Sequence, residues 1–366
     1  MPYTVHGQAT AVGVKSHVLY SRLLTDTDYW DLLNLKTTTE ISNFLKQTEG
    51  YEYDLRVLPH EYVHRVDLEN TIKMTVLRQG ASFLPYISGA MFKLFMGCLG
   101  WYEAEELKSV FRWLRSRRLT REEMKQKLYY MAGSKLPYDD LLNCRNYAEA
   151  LECLKETKYY NVLREPIRQL MDGETSLFSL ELAIDNIPEM EIHKNLNKLP
   201  ESDKKQLQPI FGTRIDLLNL YHYHRFSLYY HMTIEETLSR MLSIKYKVQT
   251  HHLREMSKVK TWKERLDILG KHFPVYAEIF RSALEQPDKE LALEMSIARF
   301  QYRKSLAVFQ SGAPGFHTSV AYFLLKTQEV DDIIRIIENV RYGYSRDSAA
   351  AYLVKPILDR GEPAWQ

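Results

Sequence analysis

Residues 32–48 read LLNLKTTTEISNFLKQT and residues 141–157 read LLNCRNYAEALECLKET. The two stretches agree at both leucines, the Asn, the Glu (Glu40 and Glu149), the Leu-Lys pair and the final Thr, and a Tyr follows each Glu by eleven residues, Tyr51 and Tyr160. A fainter third copy, MSKVKTWKERLDILGKH at 256–272, places Glu264 in the Glu position and Tyr276 one residue late. A second box keeps the same order. In EAEELKSVFRWLR (103–115), TRIDLLNLYHYHR (213–225) and EVDDIIRIIENVR (329–341), an acid stands nine residues before an Arg. The pairs are Glu106 with Arg115, Asp216 with Arg225, and Asp332 with Arg341. First-box offsets are 109 and 115, second-box offsets 110 and 116. Two independent boxes sharing one period make a repeat, and a repeat fixes architecture more firmly than any short motif.

A period of about 113 residues is too long for a solenoid unit and suits a small domain. The second boxes read as helix, because Val330, Ile333, Ile334, Ile337 and Val340 fall on one stripe, as do Ala104, Leu107, Val110, Phe111 and Leu114. Capping-box starts follow the first two copies, Thr120 with Glu123 and Thr233 with Glu236, and the third keeps only Ser345. The expected fold is therefore all-α, with three similar helical domains in series, 1–130, 131–245 and 246–366, packed with pseudo-threefold symmetry. The turn-rich MAGSKLPYDD at 131–140 separates the first two. Nine residues turn a helix through about 900°, so the acid and Arg of each box face opposite sides and each is expected to find its partner on a neighbouring helix.

Composition agrees with this reading. In 366 residues, 45% hydrophobic and 26% charged side chains exclude intrinsic disorder, and only 15 Gly and 13 Pro leave room for long helices. A net charge of +2 gives no single-sign field that would argue for nucleic acid. Cys98, Cys144 and Cys153 form no CxxC pair and too few bridges for a disulfide framework. The last two, nine apart on one predicted helix, are expected to face opposite sides. The start MPYTVHGQAT has no secretory pattern, and Ala81–Tyr102, interrupted by Pro85 and Lys93, reads as a buried helix pair rather than a span. A soluble chain with no transmembrane segment is expected.

Candidate chemistry is sparse. His60-Glu61-Tyr62-Val63-His64 is a literal HExxH, which on a helix would bind zinc and activate water. Asp67 and Asn70 stand where the extended motif needs Gly and His, and no Glu lies 19 to 30 residues beyond His64 to complete the set. We expect no metal there. His222, His224 and His231, interleaved with Tyr221, Tyr223, Tyr229 and Tyr230, read as partly buried packing residues. The GAPG at 312–315 reads as a loop between helices, and no GxxxxGK[ST] loop, GxGxxG or GxSxG occurs. No cofactor, small-molecule substrate or catalytic residue is expected. The cationic run Arg112, Arg115, Arg117, Arg118, Arg121, Lys125 and Lys127 is either a solvated face or a docking face, with Arg117, Arg118 and Arg121 the candidate partner interface.

The order of these boxes resembles the C-subunit family of the V-type or archaeal-type rotary ATPases, which is related to the d-subunit family of the eukaryotic vacuolar enzyme. The likeness rests on SRLLTDTDYWDLLNLKTTTEISNFLKQTEGY (21–51), TRIDLLNLYHYHRFSLYYHMTIEETL (213–238) and FLLKTQEVDDIIRIIENVRYGYS (323–345). It implies a funnel of three helical domains and a non-catalytic rotor component on the cytoplasmic face of the membrane. Its partners would be the central-shaft subunits of the soluble ATPase sector and the membrane rotor ring, for proton or sodium transport. The position three residues after the acid is Asn219 in the second copy, but Ser109 and Arg335 in the others. The residues without the resemblance would suit a stand-alone helical adaptor, and HExxH alone a zinc hydrolase.

Overall fold

Few glycines and prolines leave long stretches free to coil, and in the computed structural model, which describes residues 5–129, 133–343 and 345–357, every regular element is helical. Met1–Thr4, the boundary expected at 130/131, and Met131 and Ala132 of the turn-rich stretch lie outside the described residues. In chain order the helices are α1 (Val5–Tyr20), α2 (Asp26–Asn34), α3 (Thr38–Leu45), α4 (Glu52–Leu55), α5 (Arg65–Ala81), α6 (Gly89–Ser116), α7 (Arg121–Gln126), α8 (Tyr138–Asn143), α9 (Tyr147–Cys153), α10 (Tyr160–Met171), α11 (Phe178–Leu196), α12 (Glu201–Leu228), α13 (Ile234–Arg240), α14 (Thr250–Ser257), α15 (Trp262–His272), α16 (Pro274–Leu284), α17 (Lys289–Gln310), α18 (Phe316–Tyr342) and α19 (Arg346–Ala351). A single 3-10 turn, Leu84–Tyr86, precedes α6 among the described residues. Each second box lies in one of the three long helices α6, α12 and α18.

The chain forms two compact units. One is Leu77–Leu199, and the other joins the chain up to Val76 to the chain from Pro200 onward.

In the Leu77–Leu199 unit the axis is α6 against α11. A Cβ at Gly97 would stand 2.8 Å from the Ile192 side chain, and one at Gly100 would touch Pro188, so small residues let the two helices close. Ala104, Leu107, Val110, Phe111 and Leu114 are all buried and share one core with Leu141, Ala150, Leu163 and Ile184. Ala81 is the last residue of α5, the 3-10 turn follows, and Gly89–Tyr102 is the start of α6, so Ala81–Tyr102 holds one helix and a short turn in place of the expected helix pair. No helix among the described residues is long and apolar enough to cross a membrane.

In the other unit α18 packs on α1 and α17. Gly13 of α1 lies where a Cβ would come within 2.5 Å of the Pro314–Gly315 backbone, in the loop that GAPG forms between α17 and α18. The buried stripe of α18 lacks two of the expected residues, Ile334 and Val340, and gains Ile336. Val330, Ile333, Ile336 and Ile337 are buried, while Ile334 is half-buried. Packing on two sides of α18 widens its apolar face beyond one 3.6-residue stripe.

Ile337 is 1% exposed. Truncating it removes burial and leaves a cavity, so Ile337→Ala should cost about 2 to 5 kcal/mol, with Ile334→Ala costing less. Urea midpoints of the two variants check the order, and equal shifts would mean that Ile334 is as fully packed as Ile337.

Candidate functional site

The first-box Glu closes a helix start in all three copies. Thr37 accepts the Glu40 N–H at 3.1 Å, and Glu40 accepts the N–H groups of Thr37 and Lys36 at 3.2 and 2.7 Å. Thr261 and Glu264 make the same reciprocal pair at the start of α15. In α9 Asn146 replaces the Thr, accepting from the Glu149 N–H at 2.9 Å while Glu149 takes the Arg145 N–H at 2.8 Å. All three Glu side chains are exposed. Thr261 holds the Glu264 carboxyl below the usual carboxylate range. These residues set where a helix begins, which requires only local partners.

The second-box acids behave differently. Glu106, Asp216 and Asp332 are at most 2% exposed, and each accepts backbone N–H groups from a segment well downstream. Asp216 takes those of Tyr246, Lys247 and Val248 at 3.3, 2.9 and 3.2 Å. Asp332 takes those of Val354 and Lys355 at 2.7 and 2.9 Å, and Arg335 pairs with it at 3.0 Å. Glu106 takes the Tyr129 N–H and the Tyr138 hydroxyl. Burial drives the Asp216 and Asp332 carboxyls above the ordinary range, and the N–H donors pull them back. The downstream segment is thereby tied to its long helix. Where the third copy has Arg335, the second has Asn219, whose side chain donates to the Ile244 carbonyl at 3.2 Å and holds the same kind of return loop.

Tyrosines of the first box lock onto the long helices. Tyr51 donates to Glu329 at 2.7 Å, where Lys326 Nζ at 2.8 Å and the Leu24 N–H at 2.6 Å also converge. The Lys326 ammonium lies 3.6 Å from the Tyr51 ring centroid. Tyr276 donates to Asp216 at 3.2 Å. In the middle copy the locking residue is Tyr159, not Tyr160: Tyr159 is 1% exposed and donates to Glu103 at 2.8 Å, beside Lys158 at 2.8 Å. Helix α10 starts at Tyr160, so Tyr159 takes the N-cap position that Tyr51 holds at the start of α4. Burial and the adjoining carboxylates raise all three phenols well above their usual value, so they stay protonated donors. Each first box is fixed to a long helix other than the one that follows it in the chain: the first to α18, the second to α6, the third to α12.

Among the described residues no hydrogen bond or ion pair joins these arginines to a neighbouring helix, where partners are expected, although Arg115 lies near enough to Tyr147 of α9 to act on its phenol. Arg341 is exposed and lies 4.0 Å from Glu338 of its own helix, Arg225 sits over Tyr221 of its own helix, and Arg115 is exposed. They stand in the last turns of their helices, where a positive charge suits the dipole.

The candidate cationic face divides by role. Arg112 pairs with Glu181 at 2.7 Å and Lys125 with Asp139 at 3.0 Å. Arg117 ends α6 with a left-handed φ of 49°, stacks on Trp113 and donates to the Cys144 carbonyl at 2.6 Å. Arg118 and Arg121 are exposed, and no ion pair engages either among the described residues.

The remaining motifs resolve by local backbone. HExxH lies in irregular chain between α4 and α5, so its histidines share no helix face. His60 contacts Asn43 at 3.2 Å, and His64 accepts the Val66 N–H at the start of α5. No cluster of three His, Cys, Asp or Glu among the described residues could hold a metal. His224 is buried against Trp262 and Phe280 and His222 stacks on Phe226, whereas His231 is exposed, with a positive φ. Cys144 and Cys153 are not on one helix facing apart. Cys144 is extended, α9 turns back, and the sulfurs meet at 3.4 Å.

Comparison with known proteins matches residues 13–352 to the family described as ATP synthase (C/AC39) subunit. Over 203 residues the chain is 25% identical to the A-type ATP synthase C subunit of Methanosarcina mazei, covering 55% of this chain and 53% of that protein. Over 199 residues it is 20% identical to the protein of the same name from Methanosphaera stadtmanae, covering 54% and 49%. The chain spans about half the length of these curated relatives.

Two measurements probe the buried groups. Asp332→Ala strands two inward-facing N–H groups and Arg335, and should cost about 3 to 5 kcal/mol, whereas the exposed cap variant Thr37→Ala should cost about 1 kcal/mol. Chemical denaturation that ranks them the other way would refute the tether. Burial lowers His224 from the ordinary 6.5 to about 4. Between those values the unfolded chain binds the proton and the folded chain does not, so stability falls as pH drops from 6.5 towards 4, by roughly 2 to 3 kcal/mol from this residue. Stability measured against pH for the parent and for His224→Phe should diverge in that window, the parent losing more; parallel curves would show that His224 is hydrated.

Proposed function

The chain belongs to the ATP synthase (C/AC39) subunit family, and from that premise we propose that it is a non-catalytic central-stalk subunit of a V/A-type rotary ATPase, linking the shaft of the soluble ATPase sector to the membrane rotor ring. The observation that carries this reading is a family match running from residue 13 to residue 352, through all three copies of both boxes. The local chemistry supports it. The buried Glu106, Asp216 and Asp332 carboxylates are engaged by backbone N–H and phenol donors, which stiffen the chain. A part that transmits torque benefits from such rigid joints.

The finer architecture belongs to the same proposal: three similar helical domains, 1–130, 131–245 and 246–366, in a pseudo-threefold funnel. Its support is the repeat itself and the matched caps at Glu40, Glu149 and Glu264. Attachment at the cytoplasmic face would be peripheral. Within the cationic run, Arg118 and Arg121 are the residues proposed to meet a partner, because Arg117 is engaged within the fold.

A tagged chain recovered from native membranes should bring shaft and ring subunits with it. Deleting the chain should abolish ATP-driven ion transport while the soluble sector still hydrolyses ATP. Hydrolysis by the isolated chain, or recovery without any ATPase subunit, would overturn the proposal. Arg118→Glu with Arg121→Glu should weaken assembly in a salt-dependent way without shifting the melting temperature. Assembly equal to the parent at low and high salt would remove that face from the interface.

A further inference from the structure

The Sγ atoms of Cys144 and Cys153 are 3.4 Å apart, in contact. The chain brings them together by ending α8 at Asn143, passing through Cys144 in extended conformation, and restarting at the Asn146 cap of α9. Arg117 fixes the backbone of this turn through the Cys144 carbonyl. Cys144 is buried and its sulfur lies 3.3 Å from the Asp140 carbonyl, while Cys153 is partly exposed. The third thiol, Cys98, is buried in α6.

We propose that Cys144 and Cys153 form a dithiol that hydroperoxides oxidise to a reversible disulfide. Cys153 reacts first because solvent reaches it. Its thiolate attacks one peroxide oxygen, the O–O bond breaks, and the departing oxygen leaves as water with the thiol proton, so that Cys153 becomes a sulfenic acid. The Cys144 sulfur then attacks the Cys153 sulfur. An S–S bond forms, the S–O bond breaks, and the hydroxyl leaves as a second water with the Cys144 proton. Two thiols have then lost two electrons to one hydrogen peroxide, which becomes two waters. An external dithiol reverses the step by thiol-disulfide exchange.

The division of roles follows from the surroundings. Burial and the Cys153 sulfur push the Cys144 thiol up to about 12, which makes it a poor first nucleophile. Its contact with Cys153 compensates in the second step, because the attack is intramolecular and needs little rearrangement. Two sulfurs that only filled space in the core around Phe111 and Tyr147 would have no such outcome. This inference does not rest on the rotor reading.

The test treats the reduced full chain with hydrogen peroxide, alkylates remaining thiols under denaturing conditions, and maps peptides without reduction. A peptide joining Cys144 to Cys153, an intact mass lower by two hydrogens, reversal by dithiothreitol and a still-alkylated Cys98 are expected. Cys144→Ala should leave Cys153 to proceed to sulfinic acid, and Cys153→Ala should abolish the mass loss while keeping the helical circular-dichroism signal. Should either variant misfold, the parent map still decides. The proposal is overturned if Cys153 reaches sulfinic acid in the parent while Cys144 remains alkylated, or if both stay alkylated after a reference peptide thiol is fully oxidised.

Discussion

Three carboxylates buried in the three long helices constrain everything that follows them in the chain. A carboxylate removed from water is tolerated only where donors converge on it. Asp216 can be buried because 246–248 returns with three N–H groups, and Asp332 because 354–355 returns with two. The acid therefore dictates the path of a loop 22 to 32 residues downstream. Hydrophobic burial holds the helices together without choosing among nearby registers. The carboxylate chooses, since a one-residue slip would leave donors and acceptor unpaired in a dry interior.

The tyrosine locks extend that constraint between distant parts of the sequence. Tyr51 and Glu329 are 278 residues apart, yet their bond, with Lys326 beside it, ties the first box to the last long helix. Together with the packing of α1 on α18, it joins the chain up to Val76 to the chain from Pro200 onward in one compact unit. It also explains why the first box pairs in each case with a long helix that is not its immediate successor. Sequence repetition and spatial partnership are thus out of phase, and the repeat alone could not reveal the pairing.

What is legible in the sequence is local. Thr120 with Glu123, Thr233 with Glu236 and the apolar stripe of α6 announce themselves within one or two helical turns, where propensity and spacing carry the signal. The return segments that meet the buried acids are not legible, because they do so chiefly through backbone N–H groups that every residue except proline possesses. The repeat points to Tyr160 rather than Tyr159 because its count from the Glu runs one residue past the N-cap of α10, the position that Tyr51 holds in α4. Ile336 escapes a single-stripe reading because α18 is covered on more than one side. The cysteine pair misleads for one reason: the spacing suggests a continuous helix from 141 to 157, whereas Cys144-Arg145-Asn146 breaks it into α8 and α9.

The cationic run shows how one backbone angle redirects a side chain. Arg117 occupies a left-handed position that glycine usually takes, a conformation disfavoured by about 1 to 2 kcal/mol for a residue with a Cβ. Its guanidinium offsets this by stacking 4.2 Å from the Trp113 ring and by bonding the Cys144 carbonyl. Arginine is therefore held there by intramolecular bonds while the residue itself stays exposed. The following residue, Arg118, and the first residue of α7, Arg121, are exposed beside it and enter no ion pair among the described residues. If this face meets a partner, long-range attraction and salt dependence should reside in those two residues, while Arg117 acts by holding the turn that displays them.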